Sequence, residues 1–418
     1  MTDVAGQGFL PVELFVVLVL IASGVAILAR RAAIPYSVAL VLAGLGIAIA
    51  FPDASLQVTP ELILAVLLPG LVFEAAYRTH VGELRRTFGF VVILAAPGVL
   101  ITAGIVAAVV SAATGLDPRA GFLLGAMISA TDPAAVVALF RRLHAPRRLT
   151  TLVEAESLLN DGTGVVLFAI ALQAMRQPIG IVDGAWSFVA TIAISAAIGV
   201  VAGWLARRVM HATDDHLIAI AISIGAAYGT YLLADRFHES GIIATVVVGL
   251  MLGDEDALDT LSVRTQEALD IVWESIAFLL TALVFLLVGL VITPDLLVRS
   301  AAVIVSGYVA ITVARAIVVY GVIGGGERLL PRVPLLPTAY LHVMFWAGLR
   351  GAVAVALALA LPLDLPDRDL LTGAVYGVVL ITLLVQGTTA GWMIRRTGVR
   401  ESPQPRPEWP VDAESGGA

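Results

Sequence analysis

The sequence predicts an all-α polytopic membrane protein with about thirteen transmembrane helices. Hydrophobic residues make up 59% of the 418-residue chain and charged residues only 14%, whereas soluble proteins are closer to a quarter charged. Apolar stretches follow one another at about 20 residues each, the length that a helix needs to cross the hydrocarbon core. The ten-residue alternation of apolar and polar residues that is typical of a membrane β-barrel is absent.

The apolar segments predict one transmembrane domain over residues 1–396. Its spans are 12–29, 36–51, 61–77, 88–111, 120–140, 149–175, 185–206, 217–234, 241–252, 271–292, 299–322, 338–361 and 370–394. The acidic loop 253–270 is predicted to carry a short surface helix. The tail 397–418, rich in Pro, Glu and Gly, is predicted to be disordered and cytoplasmic.

The distribution of the basic residues, all of which are arginine, predicts the orientation of the chain in the membrane. With the N-terminus outside, seventeen of the arginines up to Arg400 fall on the cytoplasmic side and five on the other. The positive-inside rule therefore predicts an outer N-terminus and a cytoplasmic C-terminus in the cell (inner) membrane. The first eleven residues lack a basic region, so no cleaved signal peptide is expected.

Composition also excludes several classes of function. The chain has no cysteine, so it has no disulfide and no thiolate metal site. The absence of lysine excludes Schiff-base and P-loop lysine chemistry, and no cofactor is expected. A net charge of −7 does not suggest a nucleic-acid partner.

Span five contains a helix start near its middle. Thr131 and Asp132 can cap free backbone N–H groups, and Pro133 tolerates the first helical position. A helix that starts inside a span implies a break there. Irregular backbone at membrane depth must face protein or a water-filled cavity.

Span twelve has a matching interruption at Gly348–Gly351, which contains Arg350. Two interrupted spans at corresponding places point to a transport site at the interface of inverted repeats. The alternative is a pair of Pro or Gly kinks in an ordinary bundle. Charged residues at both breaks, Asp132 and Arg350, favour the transport site.

Span six carries a polar face. Glu156 and Asn160 lie four residues apart, as do Ser157 and Asp161, so the two pairs share one side of a helix. Carboxylate, hydroxyl and amide oxygens suit hard cations. Alternatively, Glu154 and Glu156 could belong to a helix N-terminus at the cytoplasmic surface, favoured by the macrodipole. That alternative does not extend to Asp161, which is the deepest of these residues.

Four motifs in register resemble one family. Leu-Val-Phe-Glu-Ala (71–75), Ser-Ala-Thr-Asp-Pro-Ala-Ala-Val (129–136), Glu-Ser-Leu-Leu-Asn-Asp-Gly-Thr (156–163) and Gly-Leu-Arg-Gly-Ala (348–352) are together similar to NhaP-like sodium/proton antiporters. The resemblance implies thirteen helices per protomer and a homodimer. It also implies core helices (about 88–175 and 299–394) that move against dimerisation helices (about 12–77 and 217–292).

The resemblance implies a ligand set for Na⁺ (or Li⁺) and H⁺. Asp161 is expected to bind the cation or the proton, and Ser157, Thr131 and Glu74 to complete the coordination. Exchange follows if proton and cation compete for Asp161 while access alternates between the two sides. Because electrogenic relatives have Asp where this chain has Asn160, the exchange is expected to be electroneutral, one cation for one proton.

Supporting roles follow from the same resemblance. Asp132 and Asn160 are expected to steady the ends of the broken helices, and Glu156 to pair with Arg350. An unpaired buried arginine is costly, so Arg315 is expected to have a core partner, which the sequence does not identify. His342 is expected to be a hydrogen-bonded core histidine rather than a proton carrier.

Three other functions remain as alternatives to Na⁺ exchange. A K⁺/H⁺ antiporter would use the same oxygen ligands. A channel would need a symmetric ring or a repeated filter sequence, and the chain has neither. An intramembrane hydrolase would need a histidine to activate Ser157, and Gly162-Thr163-Gly164 is not a nucleophile elbow. The protein is therefore not expected to be an enzyme.

Overall fold

The computed structural model describes residues 10–32, 35–51, 59–143, 145–212, 215–325 and 336–399, and these residues are helical without any β-strand. The helices are α1 Leu10–Ala32, α2 Tyr36–Ala50, α3 Leu68–Tyr77, α4 Val81–Ala95, α5 Pro97–Thr114, α6 Pro118–Ser129, α7 Ala134–Leu143, α8 Arg147–Arg176, α9 Ile181–Met210, α10 His216–Arg236, α11 Gly241–Leu252, α12 Glu255–Leu258, α13 Val263–Val291, α14 Pro294–Arg299, α15 Ala301–Ala316, α16 Thr338–Trp346, α17 Ala352–Leu359, α18 Arg368–Thr382 and α19 Thr388–Thr397. Three π-helical stretches extend this set: Leu62–Leu67 leads into α3, Ile317–Ile323 follows α15, and Leu383–Gly387 joins α18 to α19.

Each predicted span overlaps one or more of these helices. Within the described residues, seven helical segments are long and apolar enough to cross a membrane. They are Val81–Thr114, Arg147–Arg176, Ile181–Met210, His216–Arg236, Val263–Val291, Ala301–Ile323 and Arg368–Thr397. The all-α, multi-span prediction is confirmed. The count of thirteen crossings stays a prediction, because length and composition do not define which shorter helices cross.

Span four differs from its prediction, because it consists of two helices. α4 ends at Ala95 and α5 begins at Pro97. Proline has no N–H and its ring clashes with the preceding turn, so it starts a helix more easily than it continues one. Thr163 of α8 donates a hydrogen bond to the carbonyl of Ala95, which satisfies an acceptor that the interruption leaves without a partner inside the helix.

The acidic loop contains the predicted short helix, α12. The following helix begins at Val263, eight residues before the predicted start of its span at 271. Ser262 caps it by accepting a hydrogen bond from the N–H of Thr265 at 3.3 Å. The first two turns of α13, which contain charged residues, therefore precede its apolar part.

Both predicted breaks are present, and they meet. α6 ends at Ser129 and α7 begins at Ala134, while α16 ends at Trp346 and α17 begins at Ala352. The N–H of Asp132 in the first break donates to the carbonyl of Leu349 in the second at 2.8 Å. Gly351 is required at the contact, because a Cβ atom there would overlap the Asp132 carboxylate. The two broken helices therefore contact each other at their interruptions.

α2 and α13 pack without intervening side chains at one point. A Cβ atom on Gly44 would overlap the carbonyl of Leu286, and one on Gly289 would overlap the carbonyl of Val41. The two helices therefore touch backbone to backbone.

The tail was predicted to begin at Thr397, which is the last residue of α19. Its residues from 400 onwards lie outside the described residues.

Candidate functional site

One cavity of about 260 Å³ brings together the predicted ligand set. The predicted residues that line it are Glu74 of α3, Thr131 and Asp132 of the first break, and Ser157 and Asp161 of α8. Residues 351–354, where the second break leads into α17, also line it. Side chains separated by almost 300 residues of sequence thus face one space, which we call the funnel.

Thr131 is at the centre of a buried hydrogen-bond network. Its Oγ1 lies 2.8 Å from Oγ of Ser157 and accepts a bond from Nδ2 of Asn160 at 2.7 Å. Its backbone N–H donates to Oδ1 of the same asparagine at 3.2 Å. Asn160 therefore uses both ends of its amide to hold the irregular backbone of the break, the position that the resemblance implies for it.

Asp161 lies one residue further along α8 and faces the funnel. Its side chain is only partly buried, so an ion that enters the funnel can reach it. Asp132 and Arg350 are among the charged side chains near it. The structure places Asp132 at the crossing of the two breaks, against the backbone of Gly351.

Arg350 closes the end of a helix. Its guanidinium Nη1 donates to the carbonyls of Ser129 at 2.9 Å and Ala130 at 3.2 Å, which are the last acceptors of α6. Its own N–H donates to Oγ1 of Thr382 at 3.1 Å. A cation at a helix C-terminus offsets the negative end of the macrodipole. This arginine from the second break thus stabilises the first.

The predicted pair of Glu156 with Arg350 is wrong, because Glu156 binds Arg315. Nη2 of Arg315 donates to Oε2 of Glu156 at 2.9 Å, and Nη1 bonds Oε1. Arg315 also donates to the carbonyl of Met344 at 2.7 Å. Arg350 instead points to the C-terminus of α6, where its charge offsets the negative end of the helix dipole. The unidentified partner of Arg315 is therefore Glu156.

The prediction for His342 is only half right. Nδ1 of His342 lies 2.8 Å from the hydroxyl of Tyr320, so the histidine is hydrogen-bonded as expected. Its side chain is exposed rather than in the core. It does not line the funnel.

Two further charged residues line the funnel and were not among the predicted site residues, Arg78 and Glu154. Arg78 forms an ion pair with Glu74, with Nε 2.7 Å from Oε1. Their spacing of four residues is the usual signal for a pair on one helix face, so the sequence contained a clue to Arg78. The alternative that Glu154 and Glu156 belong to a helix N-terminus is wrong, because α8 begins at Arg147, seven residues before Glu154.

The chain is similar to known proteins in sequence and in fold. The profile of the family described as "Sodium/hydrogen exchanger, transmembrane" matches residues 16–396. The Na⁺/H⁺ antiporter ApNhaP of Aphanothece halophytica is 36% identical over 336 residues, which cover 80% of this chain and 64% of that protein. The Na⁺/H⁺ antiporter NhaP of Pseudomonas aeruginosa is 34% identical over 346 residues, covering 79% of each.

A solved structure has the same fold. The sodium proton antiporter MjNhaP1 of Methanocaldococcus jannaschii superposes with a TM-score of 0.74 at 19% identity, covering 93% of this chain and 99% of that chain. The chain spans slightly less than two thirds of the length of ApNhaP and of the low-affinity Na⁺/H⁺ antiporter NhaS1 of Synechocystis, of which it covers 64% and 63%.

Proposed function

Because the chain belongs to the sodium/hydrogen exchanger family, we propose that it exchanges Na⁺ (or Li⁺) for H⁺ across the membrane as a secondary active transporter, not as an enzyme. One observation carries the proposal. Asp161 lines a single funnel together with Ser157, Thr131 and Glu74. These side chains offer two carboxylates and two hydroxyls, the oxygen donors that hard cations prefer.

Asp161 is the group over which cation and proton compete. A carboxylate that has lost part of its hydration favours any form in which its charge is neutralised. A proton and a Na⁺ ion can each neutralise it, but not both at once. An empty, charged site is costly to carry through the membrane interior. Each change of access therefore carries one ligand, and exchange follows.

Thr131 and Ser157 are the proposed neutral ligands. Their hydroxyl oxygens are 2.8 Å apart. A cation bound beside Asp161 can therefore be coordinated by one lone pair from each hydroxyl oxygen. Asn160 donates to Thr131 and thereby fixes the direction of its hydroxyl. In this assignment Glu74 approaches the cation from α3, on the opposite wall of the funnel.

The proposed stoichiometry is one cation for one proton. At positions 160 and 161 the chain has one carboxylate and one amide, so one charge is available for neutralisation there. The amide of Asn160 is committed to Thr131 by two hydrogen bonds. Asp132 is assigned to the helix ends at the crossing. Exchange is then electroneutral and insensitive to the membrane potential.

The proposed organisation has the N-terminus outside and the C-terminus in the cytoplasm of the cell membrane, supported by the arginine distribution. The protein acts as a homodimer, in which helices within 12–77 and 217–292 form the dimerisation unit and those within 88–175 and 299–394 the moving core. The backbone contact of α2 with α13 is consistent with a tightly packed dimerisation unit. Cross-linking in native membranes tests the dimer.

The exchange itself is tested with purified protein in sealed liposomes containing a pH-sensitive dye. Na⁺ or Li⁺ added outside an acid-loaded vesicle should restore the dye signal, and the Asp161→Asn variant should not. A dye signal with K⁺, and none with Na⁺ or Li⁺, would show that the protein is a K⁺/H⁺ antiporter. A current under a potential set with valinomycin and K⁺ would contradict electroneutral exchange.

A further inference from the structure

The funnel contains a cationic side chain, Arg78, next to one of the proposed cation ligands. Arg78 lies one helical turn after Glu74, and both line the funnel. Its Nε is 2.7 Å from Oε1 of Glu74. The side chains are 26% and 16% exposed, so water screens the pair only in part. As the structure stands, the carboxylate of Glu74 is already neutralised by a tethered guanidinium.

Arg78 also has acceptors on another helix. Its Nη2 lies 3.3 Å from Oε2 of Glu274 and 3.3 Å from the carbonyl of Asp270, both on α13. Glu274 is 73% exposed and does not line the funnel. One guanidinium is therefore shared between a carboxylate inside the funnel and a carboxylate outside it.

We propose that Arg78 is a built-in competitor of the transported cation for Glu74, and that Glu274 sets the strength of this competition. The inference rests on the proposed function, because it takes Glu74 as a cation ligand. A guanidinium and a Na⁺ ion bind the same carboxylate by the same charge attraction. The guanidinium is held on the same helix, so its effective concentration at Glu74 is high.

Cation entry requires Arg78 to release Glu74, and the structure provides a place for the released charge. Glu274 and the carbonyl of Asp270 already accept hydrogen bonds from Nη2. The guanidinium therefore keeps partners when it leaves Glu74, and the high cost of an unpaired charge is avoided. The apparent affinity for the cation is lowered by the fraction of time that Glu74 spends paired.

The two carboxylates around Arg78 therefore have opposite effects on cation affinity. Arg78→Gln removes the tethered competitor of the cation at Glu74 and should lower the KM for Na⁺ by about two- to fivefold, the range of a partly screened ion pair. Glu274→Gln removes the outer acceptor, strengthens the pairing of Arg78 with Glu74, and should raise that KM by about two- to fivefold. The maximal exchange rate should change less than KM in both variants.

The experiment measures Na⁺-driven proton exchange in liposomes for four variants against wild type. They are Arg78→Gln, Glu274→Gln, the double variant, and Arg86→Gln as the control. Arg86 forms a surface ion pair with Glu83 and does not line the funnel, so its removal changes the net charge equally without the predicted fall in KM. In the Arg78→Gln background, Glu274→Gln should have no further effect.

Three results would overturn the proposal. One is an unchanged or higher KM in Arg78→Gln. A second is a fall of the same size in Arg86→Gln. The third is an effect of Glu274→Gln that persists in the double variant, because Glu274 would then attract cations by its own charge. A wild-type protein without Na⁺-driven exchange would refute the proposed function instead.

If Arg78→Gln does not fold, Glu274→Gln carries the test, because the exposed Glu274 tolerates substitution. Its KM is compared with wild type at low and high ionic strength, set with choline chloride. Salt screens the simple attraction of cations by a surface charge. If the effect of Glu274→Gln on KM disappears at high ionic strength, Glu274 acts only by such attraction and the proposal fails. An effect through the adjacent Arg78–Glu74 pair should persist.

Discussion

Glu156 and Arg315 form a two-pronged ion pair across 159 residues of sequence. The pair joins α8, which carries Asp161, to α15, and both side chains are buried, at 2% and 10% exposure. Arg315 also donates to the carbonyl of Met344 in α16, three residues before the second break begins. The proposed ion site is therefore connected to the second broken helix by one guanidinium.

Glu156→Gln should destabilise the protein strongly, because it leaves the charge of Arg315 buried without its counter-charge. Loss of one partner of a buried pair typically costs about 3–5 kcal/mol. Thermal unfolding of the detergent-solubilised protein measures the change. The surface variant Glu83→Gln, which breaks an exposed pair, should cost less than about 1 kcal/mol. Equal effects of the two variants would contradict the structural role of Glu156.

Asp161→Asn should abolish exchange, because an amide cannot take up and release the proton that the proposed cycle exchanges. The fold should be unaffected or slightly stabilised, since a charge has been removed from a partly buried position. Dye-based transport and thermal unfolding are measured on the same preparation. Asp295→Asn, at a side chain that is 72% exposed, is the control and should transport normally. Substantial exchange by Asp161→Asn would refute the assignment of the site.

Asn160→Ala should weaken the first break. It removes the acceptor for the N–H of Thr131 and the donor to its hydroxyl. Leaving buried polar groups unsatisfied costs about 1–3 kcal/mol. A lower unfolding temperature is expected, together with a higher KM for Na⁺, because the Thr131 hydroxyl loses its fixed direction. An unchanged KM would mean that Thr131 does not contact the ion.

Gly351→Ala should reduce transport, because its Cβ atom would overlap the carboxylate of Asp132. Forcing extra volume into a packed position typically costs about 1–3 kcal/mol. Gly307→Ala is the matched control: its Cβ would meet the nearest atom, in Val378, at 3.5 Å, an ordinary contact. Transport rate and unfolding temperature are compared for the two. Equal behaviour would show that the crossing tolerates displacement of Asp132.

The features predicted correctly from sequence are those that depend on local chemistry. The spans follow from hydropathy, and the breaks follow from Thr131-Asp132-Pro133 and from Gly348–Gly351. A capping residue before Pro, and glycines on both sides of a short segment, favour an interruption through local chemistry. The interruption at Pro97 was equally local, but it does not break the apolar pattern, so hydropathy treated α4 and α5 as one span.

The partner of Glu156 could not be predicted in the same way. Two buried arginines, Arg315 and Arg350, were available, and the choice depends on which helix packs against α8. That is a property of the tertiary structure. Arg350 satisfies the carbonyls at the end of α6, a need that arises only when the two breaks are brought together. The pairing of Glu74 with Arg78 was visible in the sequence as a four-residue spacing.

The reciprocal contacts between the two breaks have a mechanical consequence. The N–H of Asp132 is held by Leu349, and the carbonyls of Ser129 and Ala130 are held by Arg350. Sliding or turning one broken helix alone would strip several polar groups of their partners at once. In the proposed exchange cycle the two breaks should therefore move together as one rigid unit, and the changes of access should occur at the surfaces around them.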